Sequence, residues 1–141
     1  KVELVQIVHP DRSYDVLEEM TSYVESLLTK LNLPFRRLLL CTGDTSFTSA
    51  KTFDLEVWSA AQERWLEVSS VSNFETYQSN RLKLRFRGED KKTHLTHTLN
   101  GSALALPRIV ASILENNQLE NGSIAIPEVL IPYTKFTHIG E

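Results

Sequence analysis

Short alternating runs of apolar and polar residues make up most of this chain, and one longer stretch repeats at helical spacing. From Lys1 to Val8, Val2, Leu4 and Gln6 point one way while Glu3, Val5 and Ile7 point the other, which predicts a strand buried on part of both faces and puts the Glu3 charge in a costly place. His9-Pro10 ends that strand, and Asp11 or Ser13 is placed to cap a helix. Its apolar stripe is Val16, Met20, Val24, Leu27, Leu28 and Leu31, and Leu33-Pro34 stops it, so the spacing predicts a helix near Ser13 to Leu31. Arg37 to Cys41 reads as a short strand, and Thr42 to Ala50 as a polar loop through Gly43 and Asp44. Lys51 to Trp58 alternates Phe53, Leu55 and Val57 with polar residues. After the Ser59 to Glu63 turn, Arg64 to Ser70 returns as the second arm of a hairpin with one acidic face.

Arg81 to Arg87 alternates most strictly, with Leu82, Leu84 and Phe86 opposite Arg81, Lys83, Arg85 and Arg87, and predicts a strand with a basic face. A charged turn, Gly88 to Lys92, leads into a strand from Thr93 to Leu99. Asn100-Gly101-Ser102 then breaks into a helix over Gly101 to Asn117, where Pro107 is tolerated only in the first turn or as a kink. Ile124 to Tyr133 reads as an extended tail. This order implies an α+β fold with a mostly antiparallel sheet flanked by helices, and the chain shows no internal repeat, low-complexity tract or linker.

Composition narrows the picture in three ways. With 141 residues, 41% hydrophobic and 23% charged, the chain is sized for a single domain. A net charge of -3 excludes a surface built throughout for nucleic acid but leaves room for a local basic stripe. Cys41, the single cysteine, has no disulfide partner and no neighbours at zinc spacing, which fits a reducing compartment. No apolar run nears the ~20 residues of a membrane span and no signal peptide opens the chain, so the expectation is a cytoplasmic protein without membrane contact. A start inside a strand, with no initiator methionine, suggests a segment of something longer.

Asp54, Glu56 and Glu67 converge on one face of the hairpin, where like charges need a cation or several donors. Mg²⁺ with substrate phosphates is one such use, and a solvated polar face is the other reading. The stripe of Arg81, Lys83, Arg85 and Arg87 suits phosphates, the acidic face as counter-charge, or solvent alone. Asn100-Gly101-Ser102, with Arg108 beyond it, offers either backbone N–H groups for an anion or an ordinary helix cap. His94 and His97 lie three apart on a strand and face opposite ways, which makes them poor co-ligands. Walker, Rossmann and catalytic-triad patterns are absent.

Five collinear motifs carry a resemblance across nearly the whole chain. They are Lys1-Val2-Glu3 with Val5-Gln6-Ile7; Cys41-Thr42-Gly43-Asp44; Lys51 to Trp58 (KTFDLEVW); Glu67-Val68-Ser69-Ser70 with Ser72-Asn73; and Thr98 to Ser102 (TLNGS) leading to Arg108. In this order they resemble the C-terminal half of the catalytic domain of bacterial-type seryl-tRNA synthetases, class II aminoacyl-tRNA synthetases, from the end of motif 2 through motif 3. The resemblance implies a class II synthetase-type sheet, with residues 1-141 forming one domain. It implies activation of serine with ATP, then transfer to tRNA-Ser by a cytoplasmic homodimer.

By the same resemblance, Glu3 and Ser102 contact serine, and Glu67, Val68, Ser69, Ser70 and Arg108 bind ATP. Glu67 and Ser70 hold Mg²⁺, and Arg108 and Glu67 act catalytically. The coiled-coil tRNA-binding arm, motif 1 and motif 2 would lie upstream of Lys1, leaving the segment alone inactive or weakly active. Departures from the family pattern are Thr45-Ser46-Phe47-Thr48-Ser49 in place of a glycine-rich loop, Pro107 before the motif 3 arginine, and Thr76, Ser79 and Asn80. The alternative is a non-catalytic paralogue that binds a nucleotide, an amino acid or a protein. On a regular strand Glu67 and Ser70 face opposite sides, so joint metal binding predicts a bulge near Val68 to Ser70.

Overall fold

The computed structural model describes residues 1–140. In order along the chain, the strands and helices that build its main body are β1 (Glu3–Val8), α1 (Ser13–Lys30), β2 (Phe35–Leu39), β3 (Lys51–Ser59), β4 (Arg64–Asn73), α2 (Thr76–Leu82), β5 (Arg85–Arg87), β6 (Thr93–Leu95), β7 (His97–Ser102) and α3 (Leu106–Asn116). A five-stranded sheet, antiparallel at every pairing, runs in the order β1-β7-β4-β3-β2. The α+β expectation with an antiparallel sheet is therefore met.

Alternation in β3 sends Phe53, Leu55 and Val57 to one side, where they join Val68 and Val71 of β4 and Leu99 of β7. The α1 stripe covers them with Leu17, Val24 and Leu28, all fully buried, and α3 adds Ile109 and Ile113. Burying each such side chain contributes about 1.5–3 kcal/mol, so both helices are held on this face and the opposite face stays free of them. Asn116 of α3 donates to the Trp58 carbonyl at 3.0 Å, and Glu115 accepts from the Ser59 hydroxyl at 2.6 Å, tying α3 to the end of β3.

Several expectations need correction. Arg81 and Leu82 end α2, a helix, and only Arg85–Arg87 is strand. Lys83 takes the left-handed cap conformation at φ 59, and the Leu84 N–H closes back on the Ser79 carbonyl at 2.9 Å. Leu82, read as sharing a strand face with Leu84 and Phe86, is 65% exposed. Tertiary bonds hold this short helix: Gln78 accepts from Thr98 and Asn100, and the Ser79 hydroxyl donates to the Thr96 carbonyl at 2.6 Å.

Asn100-Gly101-Ser102 does not start a helix or form an anion-binding turn; it completes β7, and α3 begins at Leu106 with Pro107 in its first turn. Thr93 to Leu99 is broken near Thr96 into strands of two separate sheets. The Ile124 to Tyr133 tail contains a short strand, β8 (Ile124–Ala125), a 3-10 turn and a short helix, α4 (Ile131–Thr134). A final strand, β9 (His138–Ile139), pairs with β8. Neither Asp11 nor Ser13 caps α1: Arg12 holds the cap position without a side-chain bond, and Ser13 donates to the Pro10 carbonyl. Finally, β1 is an edge strand with Glu3, Val5 and Ile7 exposed, so Glu3 is not buried.

Candidate functional site

The face of the sheet turned away from α1 and α3 carries the polar residues that alternation turned away from the core. Cross-strand partners share a face, so the register assigns it: Asp54 lies opposite Ser70, Glu56 opposite Glu67, Thr52 opposite Ser72, and Glu3 opposite Ser102. A register shift makes this possible. Leu55 pairs with Ser69 but Glu56 pairs with Glu67, leaving Val68 as the extra residue of a bulge. Val68 and Ser69 both turn into the core, and Glu67 and Ser70, which parity would separate, share the open face. The irregularity expected near Val68 to Ser70 is present.

Val71 pairs with Gly101, and one step further the same register sets Ser70 opposite Ser102. Glu3, Ser102, Ser70 and Asp54 thus form one row across β1, β7, β4 and β3, spanning roughly 14 Å at the ~4.8 Å spacing of neighbouring strands. Within the row, the Ser102 hydroxyl reaches Glu3 Oε2 at 3.4 Å, and Lys1 Nζ lies 3.4 Å from the same oxygen. Buried Ser69 donates to the Ser102 carbonyl at 2.6 Å, fixing β7 against the bulge from behind. The Ala105 N–H donates to the Val68 carbonyl at 2.9 Å, which delivers the start of α3 to the same place.

From α3, Arg108 Nη1 donates to the Glu67 carbonyl at 2.5 Å and lies 3.9 Å from Glu67 Oε2. Its side chain remains 53% exposed at the rim of the open face. Glu56 is drawn away by Arg36, whose Nε donates to it at 2.5 Å while the guanidinium sits 4.8 Å over the Trp65 ring. The acidic face is therefore countered by Arg36 and Arg108. The stripe of Arg81, Lys83, Arg85 and Arg87 makes no ion pair with it among the described residues, so that stripe is not its counter-charge.

Among the described residues Asp54 has no such cation. Burial pushes its carboxyl above the usual range, the Ser70 hydroxyl pulls the other way, and the charges of Glu67, Glu56 and Asp44 add to the rise. Its Oδ1 is buried without a hydrogen-bond partner. A raised folded-state pKa stabilises the fold fully below the unfolded value near 3.8 and loses that contribution as pH climbs through the raised value. Asp54→Asn should therefore raise stability at pH 7 by about 0.2–1 kcal/mol, as for other opposed like charges, and flatten the dependence of the melting temperature on pH above 3.8. Melts of both proteins that run parallel from pH 4 to 7 would contradict this.

Among the described residues no three His, Cys, Asp or Glu side chains are grouped to hold a metal by themselves. Glu67 and Ser70, with the orphaned Asp54 oxygen beside them, supply hard oxygen donors on one open face, which is the donor chemistry Mg²⁺ takes when phosphates complete its shell. His94 pairs with Asp90 at 3.0 Å and His97 with the Ser13 hydroxyl at 2.8 Å, two separate environments. From sequence, Asn100 reads only as part of a turn, and Gln78 is not singled out. Asn100 stands opposite Ser72 on the open face, and its amide donates to Gln78 at 3.2 Å. Alternation through Thr98, Asn100 and Ser102 was the signal for it, hidden by reading the glycine as a turn.

With this geometry in view, the likenesses to known proteins are specific. Residues 1–117 match the family model of the tRNA synthetase class II core domain (G, H, P, S and T). The serine–tRNA ligase of Salinibacter ruber is 63% identical over 99% of this chain, and that of Methylobacillus flagellatus is 58% identical over 94%. The chain spans about a third of their length, 33% and 31%. The crystal structure of a seryl-tRNA synthetase from Pyrococcus horikoshii complexed with ATP matches 99% of the chain at a TM-score of 0.95 and 40% identity, with 31% of that protein covered. A cytoplasmic serine–tRNA ligase from Naegleria fowleri in complex with AMP matches at 0.89 and 30% identity, with 33% of that protein covered.

Proposed function

This chain belongs to the class II tRNA synthetase core family, and from that premise we propose that its open sheet face is the serine and ATP site of a serine–tRNA ligase. The observation that carries the reading is the row of Glu3, Ser102, Ser70 and Asp54, brought onto one face by the Val68 bulge and flanked by Glu67 and Arg108. Residues 1-141 form one domain, the C-terminal part of the catalytic core in this reading, and the whole enzyme works as a cytoplasmic homodimer on tRNA-Ser.

The roles are those the family resemblance implies, and charge and position support each of them. Glu3, exposed at the sheet edge with its carboxylate meeting Lys1 and Ser102, pairs with the serine ammonium or accepts from its hydroxyl, and Ser102 supplies a second polar contact. Glu67 and Ser70 would hold Mg²⁺, which would offset charge on the ATP phosphates. Arg108 lies against the nucleotide and stabilises the negative charge that shifts during transfer. The serine carboxylate then attacks the α-phosphate: an O–P bond forms, the bond to pyrophosphate breaks, and seryl-adenylate remains. A ribose hydroxyl of the terminal adenosine of tRNA displaces AMP in the second step. Positioning and electrostatics do the catalytic work, with no covalent enzyme intermediate.

The test is a chimera in which these residues replace the matching third of the Salinibacter ruber ligase. It should support serine-dependent ATP–pyrophosphate exchange, and Glu3→Gln should raise the KM for serine by about 10-fold or more while ATP binding holds, because a charge-assisted bond to the ammonium contributes about 1.5–3 kcal/mol. A chimera that folds but exchanges nothing, or a Glu3→Gln variant with an unchanged serine KM, would count against the reading.

A further inference from the structure

The stripe that does not serve the acidic face remains without a role, and its charge is out of keeping with the rest of the molecule. Arg81, Lys83, Arg85, Arg87, Lys91 and Lys92 fall within one hairpin and the helix end that feeds it, against only Glu89 and Asp90. This segment carries a net charge of +4, so the remainder of a chain whose total is -3 carries -7. All six cations are exposed, and none makes an ion pair among the described residues, although carboxylates abound elsewhere. Asp90 is already committed to His94, at 3.0 and 3.1 Å, and to the Lys92 N–H at 2.9 Å. Crowded like charges left unpaired lower stability, so fold stability does not account for this arrangement.

The hairpin is also held in shape. Phe86 is packed between His9 and His94, with ring centroids 4.7 and 5.6 Å away, which fixes the face of the hairpin opposite Arg85 and Arg87. Arg87 Nε donates to the Lys91 carbonyl at 3.3 Å across the turn. The Arg81 guanidinium lies 3.6 Å from the Tyr77 ring centroid and donates to the Tyr77 carbonyl at 3.0 Å. Arg85 and Arg87 project from the same face of β5, about 6.7 Å apart along the strand. This is a row of pre-positioned cationic donors that no carboxylate pairs with among the described residues.

We propose that the β5–β6 hairpin, with the end of α2, is a contact surface for the phosphate backbone of RNA. A polyanion is the partner that answers six exposed, unpaired cations in an otherwise acidic chain, and arginine forks suit phosphate oxygens. A membrane surface fits less well, because the segment presents one strongly exposed apolar side chain, Leu82, where an interfacial element needs an apolar face. The choice of RNA rests on the ligase reading; the surface itself rests on the charge distribution.

The 141-residue chain should bind a fluorescein-labelled RNA hairpin in an anisotropy titration. Arg85→Gln with Arg87→Gln should weaken binding about 10-fold and make the slope of log affinity against log salt shallower by about 1.4–1.8, the loss of two phosphate contacts. Lys30→Gln, which removes an exposed cation from the far end of α1, should change neither. Two substitutions at the exposed face of a three-residue strand leave the core intact, which circular dichroism checks. In the chimera the same double variant should raise the KM for tRNA and leave pyrophosphate exchange unaltered. Equal affinity and slope in the double variant and the control would overturn the proposal, as would equally tight binding to polyglutamate or to anionic phosphatidylserine vesicles. A chimera without exchange whose hairpin still binds RNA would instead remove the ligase reading alone.

Discussion

Arg108→Lys in the chimera should lower the rate of serine-dependent pyrophosphate exchange by about 10²–10³-fold, although the positive charge is kept. Arg108 does two things with one planar group: its Nη1 donates at 2.5 Å to the Glu67 carbonyl, 3.9 Å from the Glu67 carboxylate, and its other N–H groups make no bond to protein among the described residues. The Glu67 contact anchors α3 to the strand that carries the proposed ATP segment, and with the side chain 53% exposed the remaining donors can reach a phosphate. A lysine ammonium is a point charge on a flexible stem and cannot hold a fixed fork toward two acceptors. With the side chain half exposed, the substitution should cost no more than about 0.5 kcal/mol of stability. The loss should appear in the rate at saturating serine with the KM for serine little changed, because Glu3 and Ser102 are untouched. A lysine variant within a few-fold of the parent would remove Arg108 from the catalytic role and leave it an anchor between helix and sheet.

How far the site could be read from sequence depends on which contacts are local. The β3–β4 hairpin and the α1 stripe repeat at their own periods, so Phe53, Leu55 and Val57 and the residues from Val16 to Leu28 announced their faces. The bulge at Val68 was legible only by combining two statements: Glu67 and Ser70 must act together, and parity forbids it on a regular strand. In α2 there was nothing local to read, since a seven-residue helix has no room for a stripe and this one is held by Gln78 and Ser79 reaching β7 and the chain before it. The alternation of Arg81 to Arg87 was genuine as a pattern, but it straddles a helix end and a three-residue strand. The row from Glu3 to Asp54 depends on β7 inserting between β1 and β4, a pairing between segments about a hundred positions apart that no local pattern encodes. Asn100-Gly101-Ser102 shows the same limit, because a glycine reads as a turn residue whether a turn or a close approach requires it.

That close approach gives the second large effect. Gly101 is the residue of β7 that lies between Leu4 of β1 and Val71 of β4, at the centre of the row's support. A Cβ placed there would meet Val71 Cγ2 at 2.8 Å, the Ser70 carbonyl oxygen at 2.9 Å and Val71 Cα at 2.9 Å. Two of the three are backbone atoms of a paired strand, so no rotamer change relieves them. Gly101→Ala should therefore destabilise the chain by about 1–3 kcal/mol, as overpacking of a filled interior does. For a domain of this size that is a fall of about 5–15 °C in melting temperature. Gly43→Ala is the control: its Cβ would find only Cys41 Sγ at 3.8 Å, an ordinary contact, and the change should leave stability within about 0.5 kcal/mol. Val71→Ala added to Gly101→Ala removes the Cγ2 clash but neither backbone clash, so it should recover no stability and add the loss of a buried side chain. The functional consequence is distinct from the thermal one. Moving β7 away from β4 separates Ser102 from Ser70 across the row, so the Gly101→Ala chimera, assayed well below its melting temperature, should lose exchange while its circular dichroism stays native. Were Gly101→Ala to melt with Gly43→Ala and retain full exchange, the tight β7–β4 contact and the row of site residues built on it would both be wrong.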